Sequence, residues 1–147
     1  MSDPRIIGYL NRAVAHELSA VQQYLTQARL TALWGMDSLS RALRQEADEE
    51  LAHADRFITR LLFHGAVPGG GPLAPVRVGR TVVELLLHNR DMEADAVRIY
   101  EEAADYCRRR GATEDAELFA SIMQDEISHL RDLEQQLYDS GDGDRHG

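Results

Sequence analysis

The chain has 147 residues, of which 44% are hydrophobic and 28% are charged, which is enough for one domain with a normal core. Sixteen basic residues against 25 acidic ones give a net charge of −9, which argues against nucleic acid or an anionic membrane as a partner. The single cysteine, Cys107, excludes an intrachain disulfide and a cysteine-rich zinc site. The amino terminus has no apolar run typical of a signal peptide, so we expect a cytoplasmic protein.

Apolar residues recur every three or four positions through most of the chain, which predicts helices and no strands. The first helix begins at Asp3-Pro4, where a capping residue precedes a proline, and it ends near Trp34-Gly35. The second helix begins near Asp37 and ends at His64-Gly65. The glycine between these two helices predicts a short turn, so the pair forms an antiparallel hairpin.

A stretch rich in glycine and proline, from Gly65 to Gly79, separates the second helix from the third. The third helix runs from Thr81 to about Arg110-Gly111, and the fourth runs from about Thr113 to Ser140-Gly141. The long connection can span the length of a bundle, which would leave the second and third helices parallel. The sequence therefore predicts an all-α, ferritin-like four-helix bundle with one long crossover over residues 1–140, followed by a short polar tail at 141–147.

Each helix carries a glutamate where its apolar stripe calls for a core residue. An unpaired buried carboxylate costs on the order of several kcal/mol, so four of them facing one core need a common partner. On the second and fourth helices a histidine follows three positions later, on the same face of the helix. The six residues are Glu17, Glu50, His53, Glu93, Glu126 and His129.

The glutamates and histidines belong to an internal repeat. In each half of the chain two glutamates are separated by 33 positions, and a tyrosine follows the first by seven, at Tyr24 and Tyr100. The pattern thus occurs twice with an offset of 76, and two hairpins related by a pseudo-twofold axis would bring all six residues to one depth. The tyrosine hydroxyls would orient carboxylates or supply a nearby electron, with plain core packing as the alternative.

Four carboxylates and two imidazoles are the ligand set of a di-metal carboxylate site in a helical bundle. Two divalent ions would neutralise the four carboxylates, and hard oxygen ligands favour iron or manganese over redox-inert zinc. We predict two bridging carboxylates and one glutamate–histidine pair for each ion: Glu50 and Glu126 as the bridges, Glu17 with His53, and Glu93 with His129.

With these residues the chain resembles the bacterioferritin family over about residues 4–137. The resemblance implies that the six residues are the ligands of a ferroxidase site. Such a site binds two ferrous ions, passes their electrons to oxygen or peroxide and delivers ferric oxide into the hollow of a cage. The segments that carry it are Tyr9-Leu10-Asn11, Glu17-Leu18, Gln23-Tyr24, Trp34-Gly35, Glu50-Leu51-Ala52-His53-Ala54-Asp55-Arg56, Ile58, Leu62-Phe63 and Asp125-Glu126-Ile127-Ser128-His129.

Three features depart from the pattern of that family. Leu51 stands where haem-binding members carry a methionine ligand, so we expect no haem held in that way. The chain stops soon after Leu137 with no apolar fifth helix, so we expect a homo-oligomer smaller than 24 subunits: a dodecamer, another small cage or a dimer. Gln45 and Glu49 replace the histidine and aspartate of an inner-surface iron site, which implies a different route from the ferroxidase site to the mineral.

Two other functions remain open at this point. The first is a non-storing di-iron peroxidase or oxygen scavenger similar to rubrerythrin. A chain with one cysteine lacks the paired Cys-x-x-Cys motifs of a rubredoxin part, so it would need an external electron donor. The second is a structural bundle whose acidic residues pair with Arg29, Arg44 or Arg56, although no arginine lies on the inner stripes beside the four glutamates.

Overall fold

The computed structural model describes residues 2–146, with side chains described for residues 2–141. Four helices make up the fold: α1 (Pro4–Leu33), α2 (Asp37–Phe63), α3 (Val82–Arg109) and α4 (Thr113–His146). No strand occurs within the described range, so the predicted all-α class is confirmed. None of these helices is both long enough and apolar enough to cross a membrane.

The start of α1 has the predicted capping chemistry, and α3 has a side-chain cap of its own. The Asp3 carboxylate accepts a hydrogen bond from the Arg5 backbone N–H at 2.8 Å, and Pro4 opens α1, where its missing N–H is not needed. Thr81 caps α3 in the same way, since its hydroxyl accepts from the Glu84 N–H at 3.2 Å. Gly111, with φ of 72°, adopts the left-handed conformation that lets the chain turn from α3 into α4.

Helix α4 is longer than the sequence pattern predicts. Its end was expected at Ser140-Gly141, with a separate polar tail over 141–147, yet the helical backbone continues to His146. The apolar stripe does stop earlier, but a helix that has already formed adds each further residue with one new hydrogen bond and needs no buried face to do so. Residue 147 lies outside the described part of the chain.

The helix directions agree with the predicted crossover topology. Helices α1 and α3 are antiparallel, because their hydrogen-bonded partners occur in opposite order along the chain. Tyr9 near the start of α1 contacts Glu102 near the end of α3, and Gln27 near the end of α1 contacts Asn89 near the start of α3. Helix α2 is also antiparallel to α1, because a three-residue turn joins them. Helices α2 and α3 are therefore parallel, and the segment that joins them runs the length of the bundle.

The crossover segment, residues 64–81, lies along α1 and is tied to it by backbone hydrogen bonds. The Gly69 N–H donates to the Asn11 side chain at 2.8 Å, and the Ala74 N–H donates to the Ser19 hydroxyl at 2.9 Å. These contacts satisfy backbone groups that have no helix or sheet partner. The segment consequently covers part of the α1/α3 side of the bundle.

The apolar core consists of two clusters, one on each side of the polar positions along the helices. The larger cluster contains the aromatic rings of Phe57, Tyr100 and Phe119, which are tilted against one another with ring centroids 5.3 to 6.1 Å apart. The smaller cluster includes Tyr24 and Leu43. Between the two clusters each helix turns one glutamate inward, so the polar residues are enclosed by hydrophobic packing at both ends.

Candidate metal centre

All six residues singled out from the sequence lie together at the middle of the bundle. The four glutamates are 0–1% exposed, and the side chains of the two histidines are 7% and 11% exposed. They form two groups whose ligand atoms all lie within 4.8 Å of one another. The first group is Glu17, Glu50, His53 and Glu126; the second is Glu50, Glu93, Glu126 and His129.

Two carboxylates belong to both groups. Glu50 and Glu126 come from α2 and α4, the two helices that also supply the histidines. Glu17 from α1 occurs only in the first group, and Glu93 from α3 occurs only in the second. This arrangement offers two adjacent cation positions, each with one carboxylate and one imidazole of its own and two carboxylates in common. The shared pair is the one that the sequence analysis assigns as bridges, and bridging itself stays a prediction.

Both imidazole rings turn the same nitrogen inward. In His53, Nδ1 lies 3.1 Å from Glu126 Oε1 and 3.7 Å from Glu17 Oε2. In His129, Nδ1 lies 3.3 Å from Glu50 Oε1. The rings are stacked, with centroids 6.3 Å apart and planes at 25°. The inner nitrogens are thus the ones placed to bind a cation.

The outer imidazole nitrogens donate to two carboxylates that the sequence analysis did not include in the site. His53 Nε2 donates to Asp125 Oδ2 at 3.0 Å, and His129 Nε2 donates to Glu49 Oε2 at 2.7 Å. A signal for both was present, since each acidic residue directly precedes the glutamate of a Glu-x-x-His motif. Only the folded bundle shows that each one reaches the histidine of the opposite helix.

The tyrosines hold the two unshared glutamates. The Tyr24 hydroxyl donates to Glu93 Oε1 at 2.8 Å, and the Tyr100 hydroxyl donates to Glu17 Oε1 at 2.6 Å. Both rings are buried in the apolar clusters, and each hydroxyl also contacts a carboxylate; a role of the tyrosines in orienting metal ligands stays a prediction. Burial, together with the neighbouring carboxylate charge, raises the pKa of both phenols well above the usual value.

Several buried polar atoms at this place have no hydrogen-bond partner. Burying such atoms without a partner is costly, so their inward orientation fits a bound cation. No arginine takes part in the ion pairs of the six residues within the described chain, which argues against the structural-bundle alternative. The unpartnered atoms are Glu17 Oε2, Glu46 Oε2, both oxygens of Glu50, His53 Nδ1, Glu93 Oε2, both oxygens of Glu126 and His129 Nδ1.

The crowding of like charges shifts the protonation of these groups. Burial, and then the repulsion of nearby carboxylates, raises the pKa of Glu50 and Glu93 well above the usual value. Burial raises the pKa of Glu126 to about 7. Burial opposes a charge on His129, but Glu50 and the other carboxylates outweigh it and raise the pKa to about 10. Cation binding must therefore displace protons from this centre.

The centre reaches solvent through the α2/α4 side of the bundle. A cavity of about 410 Å³ lies there, and both histidine rings form part of its wall. Asp125 and Arg56, both exposed, and Glu49, partly exposed, lie around it, and we call this cavity the mouth of the centre. A third acidic group, formed by Glu46, Glu49 and His129, lies beside the mouth. Cations therefore have a short, mostly acidic path from solvent to the inner carboxylates.

Comparison with known proteins gives consistent relatives. The family model of the ferritin-like domain matches residues 7–140. The chain is 38% identical over 139 residues to a bacterioferritin of Rhodobacter capsulatus, and the match covers 93% of this chain and 86% of that protein. It is 36% identical over 135 residues to a bacterioferritin of Brucella melitensis, with 92% and 84% covered.

A solved structure of Rhodobacter capsulatus bacterioferritin has the same fold. The two structures superpose with a TM-score of 0.93 at 36% sequence identity, and the match covers 100% of this chain and 90% of that one. That structure is described as having a metal-free dinuclear site and a haem iron in a crystallographic special position. From the domain match and from relatives this similar over most of their length, the chain belongs to the bacterioferritin family of ferritin-like proteins.

Proposed function

We propose that the protein oxidises ferrous iron at the centre formed by the six residues and stores the ferric product. The observation that carries this proposal is the pair of adjacent ligand groups that share Glu50 and Glu126. Their inward oxygens and nitrogens have no partner among the described residues, although they are almost completely buried. The relatives that carry the name bacterioferritin support the same function.

Each group would hold one ferrous ion. Four carboxylates neutralise two divalent cations, so the loaded centre carries no net charge inside the apolar core. Carboxylate oxygens with one imidazole per ion suit iron, which can give up an electron to the oxidant. Zinc would fit the same ligands but has no redox chemistry. In our assignment Glu50 and Glu126 bridge the ions, Glu17 with His53 holds one, and Glu93 with His129 holds the other.

The redox balance of the reaction is simple. Two ferrous ions give up one electron each, and dioxygen takes both electrons and two protons to form hydrogen peroxide. Hydrogen peroxide can replace dioxygen: it takes both electrons and two protons, its O–O bond breaks and two waters form. The protein holds the two ions side by side, so both electrons reach one oxidant in one place. The buried tyrosine hydroxyls keep Glu17 and Glu93 oriented during the change in iron charge.

Storage requires assembly of several chains, and we propose that this chain forms a closed homo-oligomer. Large apolar side chains lie on the outside of the bundle, including Phe63 at 71% exposure and Leu33 at 84%. Exposed apolar surface of this kind is typical of protein interfaces. We also propose a cytoplasmic location, because ferrous iron persists in a reducing compartment.

We propose further that this chain does not hold haem through the residue that follows the bridging Glu50. That residue, Leu51, is on α2 with about half of its surface exposed, and its side chain has no atom that can ligate iron. Haem reconstitution of the protein and of the Leu51→Met variant tests this point. We expect a ligated Soret band only in the variant, and an equal band in both would contradict the proposal.

The main experiment is stepwise ferrous loading in air, followed by size-exclusion chromatography with iron and protein measured in each fraction. We expect iron to rise far beyond two ions per chain and to elute with a large particle. The matched control is Glu126→Gln, which removes one shared carboxylate and should oxidise iron far more slowly. Saturation near two ions per chain on a small oligomer would contradict storage and would indicate a peroxidase or oxygen scavenger.

A further inference from the structure

The outer nitrogens of the two histidines are held in a crossed arrangement. Asp125 on α4 accepts the hydrogen bond from His53 on α2 at 3.0 Å, and Glu49 on α2 accepts from His129 on α4 at 2.7 Å. The two contacts are copies of each other in the sequence repeat, because both the carboxylates and the histidines are 76 positions apart. Each half of the chain thus supplies the partner for the histidine of the other half.

We propose that Asp125 and Glu49 are positioning residues for the two metal ligands of the opposite helices. Asp125 would orient the ring of His53, which binds the same ion as Glu17. Glu49 would orient the ring of His129, which binds the same ion as Glu93. This inference rests on the proposed metal centre and adds two residues to it. Neither carboxylate needs to touch the metal for the effect.

The physical reason lies in the two nitrogens of an imidazole ring. A neutral ring carries one N–H and one lone pair, and a carboxylate that accepts from Nε2–H leaves the lone pair on Nδ1. In both rings Nδ1 is the nitrogen that faces the inner carboxylates, 3.1 Å from Glu126 for His53 and 3.3 Å from Glu50 for His129. The outer hydrogen bond therefore fixes both the ring rotation and the nitrogen offered to the cation.

The exposure of the partners argues against a plain surface ion pair. Asp125 and Glu49 are 52% and 44% exposed, and a pair of fully exposed groups would contribute little to stability. The imidazoles, however, are nearly buried and stacked against each other, so rotation of one ring changes the position of its inner nitrogen. We expect the contact to act on metal affinity and only weakly on folding.

The test uses cobalt(II) as a redox-inert probe of the assembled protein. Calorimetric titration of the wild type should show two ions per chain. Asp125→Ala and Glu49→Ala should each weaken one of the two ions by ~10–100-fold, the usual cost of losing an outer partner of a histidine ligand. Asp125→Glu and Glu49→Asp, which keep a carboxylate, should recover most of the affinity.

Anomalous diffraction at the cobalt edge then shows which position is lost. At a cobalt concentration that just fills the wild type, we expect Asp125→Ala to lower the occupancy of the position beside Glu17 and Glu49→Ala to lower that of the position beside Glu93. The matched control is Glu117→Gln on α4, an exposed carboxylate that lines no part of the mouth. Equal loss at both positions, loss at the position of the same half, or no loss would overturn the inference. A wild type that binds no cobalt would instead overturn the proposed metal centre itself.

Discussion

The two sides of the metal centre hold their ligands with different groups. On the α1/α3 side, tyrosine hydroxyls from rings that are 0–1% exposed hold Glu17 and Glu93. On the α2/α4 side, carboxylates that are about half exposed hold the two histidines at the mouth. The buried side provides groups that stay protonated and keep their place, whereas the exposed side provides charges that water can screen. The difference suggests a fixed wall on one side and the cation path on the other.

The largest effect is expected from removing a carboxylate that both ligand groups share, because this change affects both sides of the centre. Glu50→Gln should slow ferrous oxidation by more than the ~10–100-fold cost of losing an outer partner, because Glu50 belongs to both candidate ligand groups. The thermal midpoint of the chelator-treated variant should not fall, because burial and the neighbouring carboxylates already disfavour a charge on Glu50. Stopped-flow absorbance and thermal unfolding measure the two effects. A wild-type oxidation rate would show that the chemistry occurs elsewhere.

The second prediction separates the two sides by stability. Tyr24→Phe and Tyr100→Phe each leave a buried glutamate oxygen without its donor, so each should lower the free energy of unfolding by about 1–3 kcal/mol. Asp125→Ala on the exposed side should cost less, because water can replace the lost contact. Denaturant unfolding of the chelator-treated proteins checks the order. An equal loss in all three variants would remove the distinction between the two sides.

The third prediction uses the shifted pKa values. The pKa of Glu126 rises from 4.5 to about 7 and that of His129 from 6.5 to about 10, so between about pH 4.5 and 10 the folded chain binds more protons than the unfolded one. The stability of the metal-free protein should therefore fall as the pH rises through this window. Metal affinity should rise over the same window, because cations displace these protons.

Thermal unfolding with and without cobalt, followed against pH, measures both trends of the third prediction. Glu126→Gln serves as the control, since it removes the group that titrates near pH 7 and should flatten the lower part of the curve. A metal-free protein that becomes more stable as the pH rises across this window would contradict the sign of the predicted shifts.

The smallest expected effect concerns the charge of the mouth. Arg56 is the one arginine among the residues that line this cavity. Arg56→Gln should therefore make the mouth more attractive to cations and speed ferrous uptake roughly twofold at low ionic strength. The gain should vanish at high salt, where surface charges are screened. Stopped-flow oxidation at limiting iron over a range of salt concentrations is the measurement. A gain that persists at high salt would argue against an electrostatic cause.

The fold could be predicted almost entirely from the sequence. Apolar periodicity, the cap at Asp3 and the glycine turns are local signals, and the length of the crossover alone determined which helices run parallel. The membership in the bacterioferritin family was also predicted and is confirmed. The predicted end of α4 was wrong. Glycine and polar residues at 140–146 only make a helix statistically less common, and the backbone can still continue the helix through them.

The site was only partly visible in the sequence. The inward position of the six ligand candidates follows from the helical period, since a glutamate on an apolar stripe must face the core. Which nitrogen of each imidazole turns inward, and which tyrosine or carboxylate contacts which ligand, depends on packing between helices far apart in the chain. Tyr24 reaches Glu93 and Asp125 reaches His53 because the antiparallel bundle places each half of the repeat against the other. The sequence by itself determined the repeated set of candidate ligands. The tertiary structure decided that each half of the chain supplies the hydrogen-bond partners for the candidate ligands of the other half.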